Sequence, residues 1–356
     1  MLIDGIHIPL TTPFTRDGDL YLRKLAHNVG RYSLTPAGGF VALTGEGAAL
    51  SDEETRDTLR VIGETAAPEK VLIAAICKGS VRNALAVAEQ AAESGFDAIL
   101  LSAPPDWTEL TMRRGYEPWT QRSAELTLFF RAVADASPLP VFLHSDGTGM
   151  QLIMRVDTIA ELAQHPNILG LFDAQLQPPR YREIALATAG VKHEVTVTTV
   201  FAPVTRRMLA AAEASTVVTA SALAGGTAVL AAPTTAVLKT RTKTVGFQMM
   251  AAGTELAMVA KLEAGVAGAM PMLAASMPQS CYEVYAAFKD GDPALAVEKN
   301  ERLLEADRLM RELGVAGIKY GCDLNGYFGG PVRLPRVALD ASQQANVERV
   351  LSSLKN

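Results

Sequence analysis

A few short clusters carry the residue types that could do chemistry. His144-Ser145-Asp146 places an imidazole and a carboxylate two residues apart, on one face of an extended segment. Such a pair can pass a proton near neutral pH or hold a divalent ion. Cys77-Lys78-Gly79-Ser80 sets an amine just past an apolar run. An amine there can attack a carbonyl as a Schiff-base nucleophile or stand as a fixed charge for a carboxylate. Thr44-Gly45-Glu46 closes another apolar run, and its backbone N–H groups can open toward an anion. Asp106 and Asp173 lie at the ends of similar runs and add candidate carboxylates. Each cluster also has an ordinary structural role: a hydrogen-bonded histidine at a strand end, a snorkelling lysine, acids that cap turns, a tight turn that needs Gly45.

The stretch Ile168-Leu169-Gly170-Leu171-Phe172-Asp173-Ala174 is a short apolar run that ends before Pro178-Pro179. It reads as a strand buried on both faces. With Gly170, Phe172 and Ala174 on one face, a bulky ring stands where a barrel enzyme could place its reacting side chain. The opposite phase turns Asp173 away from the barrel axis.

These clusters need a frame that brings strand ends together. Apolar runs at 6–14, 39–45, 71–77, 98–104, 139–145, 168–174, 247–253 and 267–273 alternate with helix-like segments, the pattern of βα units in a parallel sheet. Eight such strands close a (β/α)8 TIM barrel. Ser51 ahead of Asp52-Glu53-Glu54, Ser80, and the stretch around Gly115 mark helix starts. Residues 1–275 are expected to form the barrel, interrupted by an insert at 191–246, and residues 276–356 a helical C-terminal region. Within the insert, 194–200 and 216–222 read as strands, 204–214 as a helix and Gly225-Gly226 as a turn. Because it follows a helix and precedes a strand, the insert should leave the barrel at the face opposite the catalytic end. Helices are expected at 278–289, 293–313 and 341–354.

Composition narrows the function. The 356 residues carry a net charge of -5 and no basic run, which argues against a nucleic-acid surface or an anionic membrane. Cys77, Cys281 and Cys322 are far apart and lack metal-ligand spacing. With no basic leader at Met1 and no apolar run of membrane-spanning length, a cytoplasmic protein that meets small molecules and copies of itself is expected. Neither a cofactor nor a resident metal is expected.

The order of motifs resembles the dihydrodipicolinate synthase / N-acetylneuraminate lyase family. The resemblance rests on Pro9-Leu10-Thr11-Thr12-Pro13-Phe14 with Asp17-Gly18, Ala42-Leu43-Thr44-Gly45-Glu46 before Leu50-Ser51-Asp52-Glu53-Glu54, and Ala92-Glu93-Ser94-Gly95-Phe96-Asp97-Ala98. His165-Pro166-Asn167-Ile168-Leu169-Gly170 and Gly329-Gly330-Pro331-Val332-Arg333-Leu334-Pro335 complete it. It implies a (β/α)8 barrel with a helical C-terminal region, a homo-oligomer (dimer or tetramer), and chemistry on a small oxo or hydroxy acid. The family works through a lysine Schiff base, and the resemblance puts that lysine at Phe172. The family's tyrosine falls on His144, the first threonine of its Gly-Thr-Thr-Gly-Glu motif on Leu43, and its paired tyrosines on Pro105 and Asp106. An atypical lyase, an aldolase or hydro-lyase, is therefore expected, with His144, Asp106 and Lys78 as catalytic candidates. Thr44, Gly45, Glu46, Phe172 and Asp173 are expected to bind the acid. The alternative is an inactive binding or structural pseudoenzyme on the same barrel.

Overall fold

The computed structural model describes residues 1–105, 119–145, 153–174, 177–216, 238–253 and 258–354. Strands β1 (Gly5–Pro9), β2 (Gly39–Ala42), β3 (Val71–Ile76), β4 (Ala98–Ser102), β5 (Val141–Ser145) and β6 (Ile168–Asp173) lie in the first half. Between them run α1 (Leu22–Ser33), α2 (Asp52–Thr65), α3 (Val81–Glu93), α4 (Trp119–Ala136) and α5 (Val156–Leu162). Then follow α6 (Pro178–Ala187), β7 (His193–Thr198), α7 (Arg206–Thr216), β8 (Thr240–Val245), β9 (Gln248–Gly253), α8 (Met258–Ala264) and β10 (Gly268–Pro271). The chain ends in α9 (Pro278–Lys289), α10 (Pro293–Leu324) and α11 (Ala341–Ser352).

Eight strands close a parallel barrel in the order β1-β10-β9-β6-β5-β4-β3-β2, as the alternating pattern predicts. The runs are apolar throughout because both faces are covered. Val41, Ile73, Leu100, Phe142, Phe172 and Met250 pack inside the barrel, while Ile8, Phe40, Leu72, Ile99 and Leu143 pack outward against the helices. Ser51 starts α2 with a full capping box to Glu54, and Ser80 caps α3 through Asn83 N–H. The stretch around Gly115 lies outside the described residues.

The segment after α6 is corrected in part. β7 pairs antiparallel with β8, from His193 opposite Val245 to Thr198 opposite Thr240, and Thr240–Val245 is a strand not expected from the sequence. Thr216 ends α7; residues 217–222 and Gly225-Gly226 lie outside the described residues. This segment packs beneath β3 and β4. Asp97, just before β4, accepts from Arg206 N–H at 2.6 Å and Leu72 N–H at 2.9 Å, and Arg207 donates to the Ala66 carbonyl at 3.2 Å and to that of Lys70.

The C-terminal region is also longer in helix than expected. The helix expected at 293–313 ends where expected, at Gly314, and a further helical segment beyond it carries α10 to Leu324. At φ 62°, ψ -146° Gly314 is outside helical conformation, one almost confined to glycine, and α10 is two helical segments meeting at a kink there.

Candidate active site

The carboxyl ends of the barrel strands open into a cavity of about 540 Å³. Its wall includes Thr44 and Gly45 after β2, Lys78 after β3, Ser102 on β4 and His144 on β5. Ser102 and His144 are register partners in the β4–β5 ladder, and both follow the inward phase set by Leu100 and Phe142. Their side chains meet, with Ser102 Oγ 2.9 Å from His144 Nδ1. Fixing one ring nitrogen sets the orientation of the imidazole, the requirement for a directed proton transfer. On the opposite side α10 contributes Arg311, Val315 and Ile318, and the segment before α11 contributes Arg336.

Thr44 Oγ donates to the Leu10 carbonyl at 2.8 Å and ties the end of β2 to β1. In the same turn Leu43 takes φ 62° and Gly45 φ 63°. A left-handed leucine costs on the order of 1–3 kcal/mol and persists only where its surroundings hold it. The adjoining network supplies that hold. Lys319, 1 % exposed, donates from Nζ to Glu46 Oε2 at 2.8 Å, to the Thr12 carbonyl at 2.9 Å and to that of Pro331 at 2.6 Å. Arg333 N–H donates to Glu46 Oε1 at 2.9 Å, and its guanidinium binds Glu54, holding that carboxyl down at about 2. Burial lowers the Lys319 pKa, and its bond to Glu46 opposes that shift.

Three residues expected to bind the acid do not line the cavity. Glu46 is consumed by Lys319 and the Arg333 backbone. Asp173 is buried on the outward phase of β6 and accepts from Arg180 Nε at 2.8 Å. Phe172 lies within the barrel, fully buried, edge-on to Phe142 with centroids 5.7 Å apart and to His7 at 6.4 Å. It belongs to the floor of packed side chains inside the barrel, below the cavity and not part of its lining. Lys78 does reach the cavity, with Nζ 4.0 Å from Asp52 Oδ1. Asp106 and Asp146 lie outside the described residues. Among the described residues no group of three or more His, Cys, Asp or Glu side chains could hold a metal ion.

The sequence reading missed Ser102, Arg311 and Arg336. Ser102 was within reach, since the alternation Ala98, Leu100, Ser102 sets it on the inner face beside His144. The arginines come from a distant helix and tail and carry no local motif.

A closed eight-stranded barrel with its polar groups at the carboxyl ends of the strands defines a (β/α)8 barrel protein with a mouth site. The dihydrodipicolinate synthetase family model matches residues 2–185 and 227–354, and the chain belongs to that family. The unmatched stretch between the two segments falls largely within the β7–β8 region. The 4-hydroxy-tetrahydrodipicolinate synthase of Acidiphilium cryptum (strain JF-5) is 26% identical over 360 residues, covering 99% of each chain. That of Xanthomonas axonopodis pv. citri (strain 306) is 35% identical over 188 residues, 51% of this chain and 56% of the relative. Among solved structures, YagE from E. coli K12 in complex with pyruvate superposes with a TM-score of 0.74 at 20% identity, covering 99% of both chains. The 4-hydroxy-tetrahydrodipicolinate synthase of Methylacidiphilum fumariolicum SolV gives 0.74 at 18% identity, covering 99% of this chain and 96% of the other. At such identities the superpositions speak to the fold.

Proposed function

We propose that this chain is an atypical member of its family, a lyase on a small oxo or hydroxy acid that works without a lysine Schiff base. The observation that carries this reading is the pairing of Phe172 and His144. At the β6 position to which the resemblance assigns the lysine, a buried phenyl ring packs on Phe142 and His7 and offers no nucleophile. One residue across the ladder, His144 lines the cavity with its ring fixed by Ser102.

In a retro-aldol cleavage, His144 takes the proton from the substrate hydroxyl, the adjacent carbon–carbon bond breaks to leave a carbonyl, and its electron pair passes to the oxo-acid half as an enolate. The enolate takes the proton back from His144 to give the free oxo acid. Lys78, Arg311 and Arg336 supply positive charge to the bound acid and to the enolate. Lys78 acts here as a fixed charge. A homo-oligomer acting on small molecules in the cytoplasm completes the proposal; the net charge of -5 suits small-molecule rather than nucleic-acid partners.

Turnover should be sought with panels of 4-hydroxy-2-oxo acids, which carry the hydroxyl the cleavage needs, comparing wild type with His144→Ala and Ser102→Ala. Removing a general base costs about 10²–10⁴-fold in rate. Turnover that survives His144→Ala at the wild-type rate contradicts the assignment. Tight binding without turnover favours the pseudoenzyme on the same barrel.

A further inference from the structure

The proposed lyase site is far larger than a three-carbon acid requires. At about 540 Å³ the cavity lies within the ~300–1,000 Å³ range of pockets that enclose drug-sized ligands.

Its lining is divided by chemistry. Ser102 and His144 stand on the barrel strands, while Arg311 and Arg336 come from the C-terminal region. Leu10, Leu43, Ile76, Leu100, Met270 and Val315 are apolar parts of the same wall. The charged side chains among the described lining residues, Lys78, Arg311 and Arg336, are all cations. Gly314 brings one apolar section into place: the bend of α10 lies between Arg311 and Val315, and Val315 Cγ2 sits 3.4 Å from where a Cβ on Gly45 would stand. One buried polar atom is also left over. The Thr55 hydroxyl, on a residue 2 % exposed, lines the cavity without a hydrogen-bond partner among the described residues. A buried hydroxyl left unpaired costs about 1–3 kcal/mol, which a ligand oxygen would relieve.

We infer that the cavity takes a carboxylate with an extended apolar body, the charged end met by the cationic side chains and the body by the apolar wall. This inference rests on the reading of the mouth as an organic-acid site. Free energy gained per methylene buried follows from the area removed from water, so chain length is the variable to scan.

Isothermal titration of the full-length protein with straight-chain 2-oxo acids, from pyruvate to 2-oxooctanoate, tests it. Affinity should rise about threefold to fourfold with each added methylene. Val315→Ala, a mild truncation of the wall, should weaken 2-oxooctanoate about fivefold and leave pyruvate unchanged. A flat series, a series led by pyruvate, or equal weakening of both ligands by Val315→Ala overturns the inference while leaving an organic-acid site in place. If no member binds at any length, the organic-acid reading falls as well.

Discussion

Two histidines face the inside of the same barrel, and their surroundings differ. His7 on β1 lies fully buried against Phe172, with Nε2 3.1 Å from the Asp4 carbonyl and Nδ1 unpartnered among the described residues. Burial brings its pKa down to about 4, so the ring is neutral at physiological pH. His144 on β5 lines the open cavity and meets the Ser102 hydroxyl. Depth along the barrel axis separates them: deep in the barrel a polar ring is packing, and at the mouth it has a partner and room for a ligand. The same division explains why Phe172, though on the strand expected to carry chemistry, belongs with His7.

The largest effect expected from this contrast is in the floor. Phe172→Ala should cost about 3–5 kcal/mol in urea unfolding, since it empties a ring-sized space between Phe142 and His7. A loss under about 1 kcal/mol would place the ring outside the core and remove the distinction.

His7 gives a pH signature next in size. Its folded pKa of about 4 lies below the ordinary 6.5, so the unfolded chain binds the proton more readily between those values. Stability should therefore fall as pH drops from 6.5 to 4, by about 3 kcal/mol, and level off below. In His7→Gln that slope should shrink, with His193, whose pKa burial also lowers, keeping a smaller part of it. Glu54 titrates lower: its folded pKa of about 2 gives stability that is present above 4.5 and lost as pH falls through 2. An unchanged slope between pH 6.5 and 4 in His7→Gln contradicts the buried neutral histidine.

The mouth is expected to respond differently. Gly314→Ala meets no neighbour within 4 Å, so its cost is backbone strain alone, about 1–3 kcal/mol. It should also weaken ligand binding by shifting Arg311 and Val315. Thr55→Val should raise apo stability by about 1–3 kcal/mol, because it removes a buried hydroxyl that has no hydrogen-bond partner among the described residues. Thermal unfolding separates these two variants from the floor series.

How much of this was legible follows from the range of each interaction. Eight barrel strands could be read because burial on both faces writes a local apolar run. The strand Thr240–Val245 could not, since its Thr, Arg and Lys side chains are nearly all exposed and no apolar alternation marks it. Glu46 looked like a ligand residue because its partner, Lys319, lies 273 positions away in α10. Asp173 was assigned to the site although the phase of β6 already turned it outward. Thr44, Gly45, Lys78 and His144 were legible because each sits at the end of a readable strand. Arg311 and Arg336 reach the cavity through helix packing and a tail, which no spacing in the sequence records.

The most direct test of the central claim is intact-mass spectrometry after borohydride reduction in the presence of pyruvate. The expected result is protein of unchanged mass. A stable adduct of one reduced pyruvate would contradict chemistry without a Schiff base, and its location, at Lys78 or another lysine, would name the nucleophile.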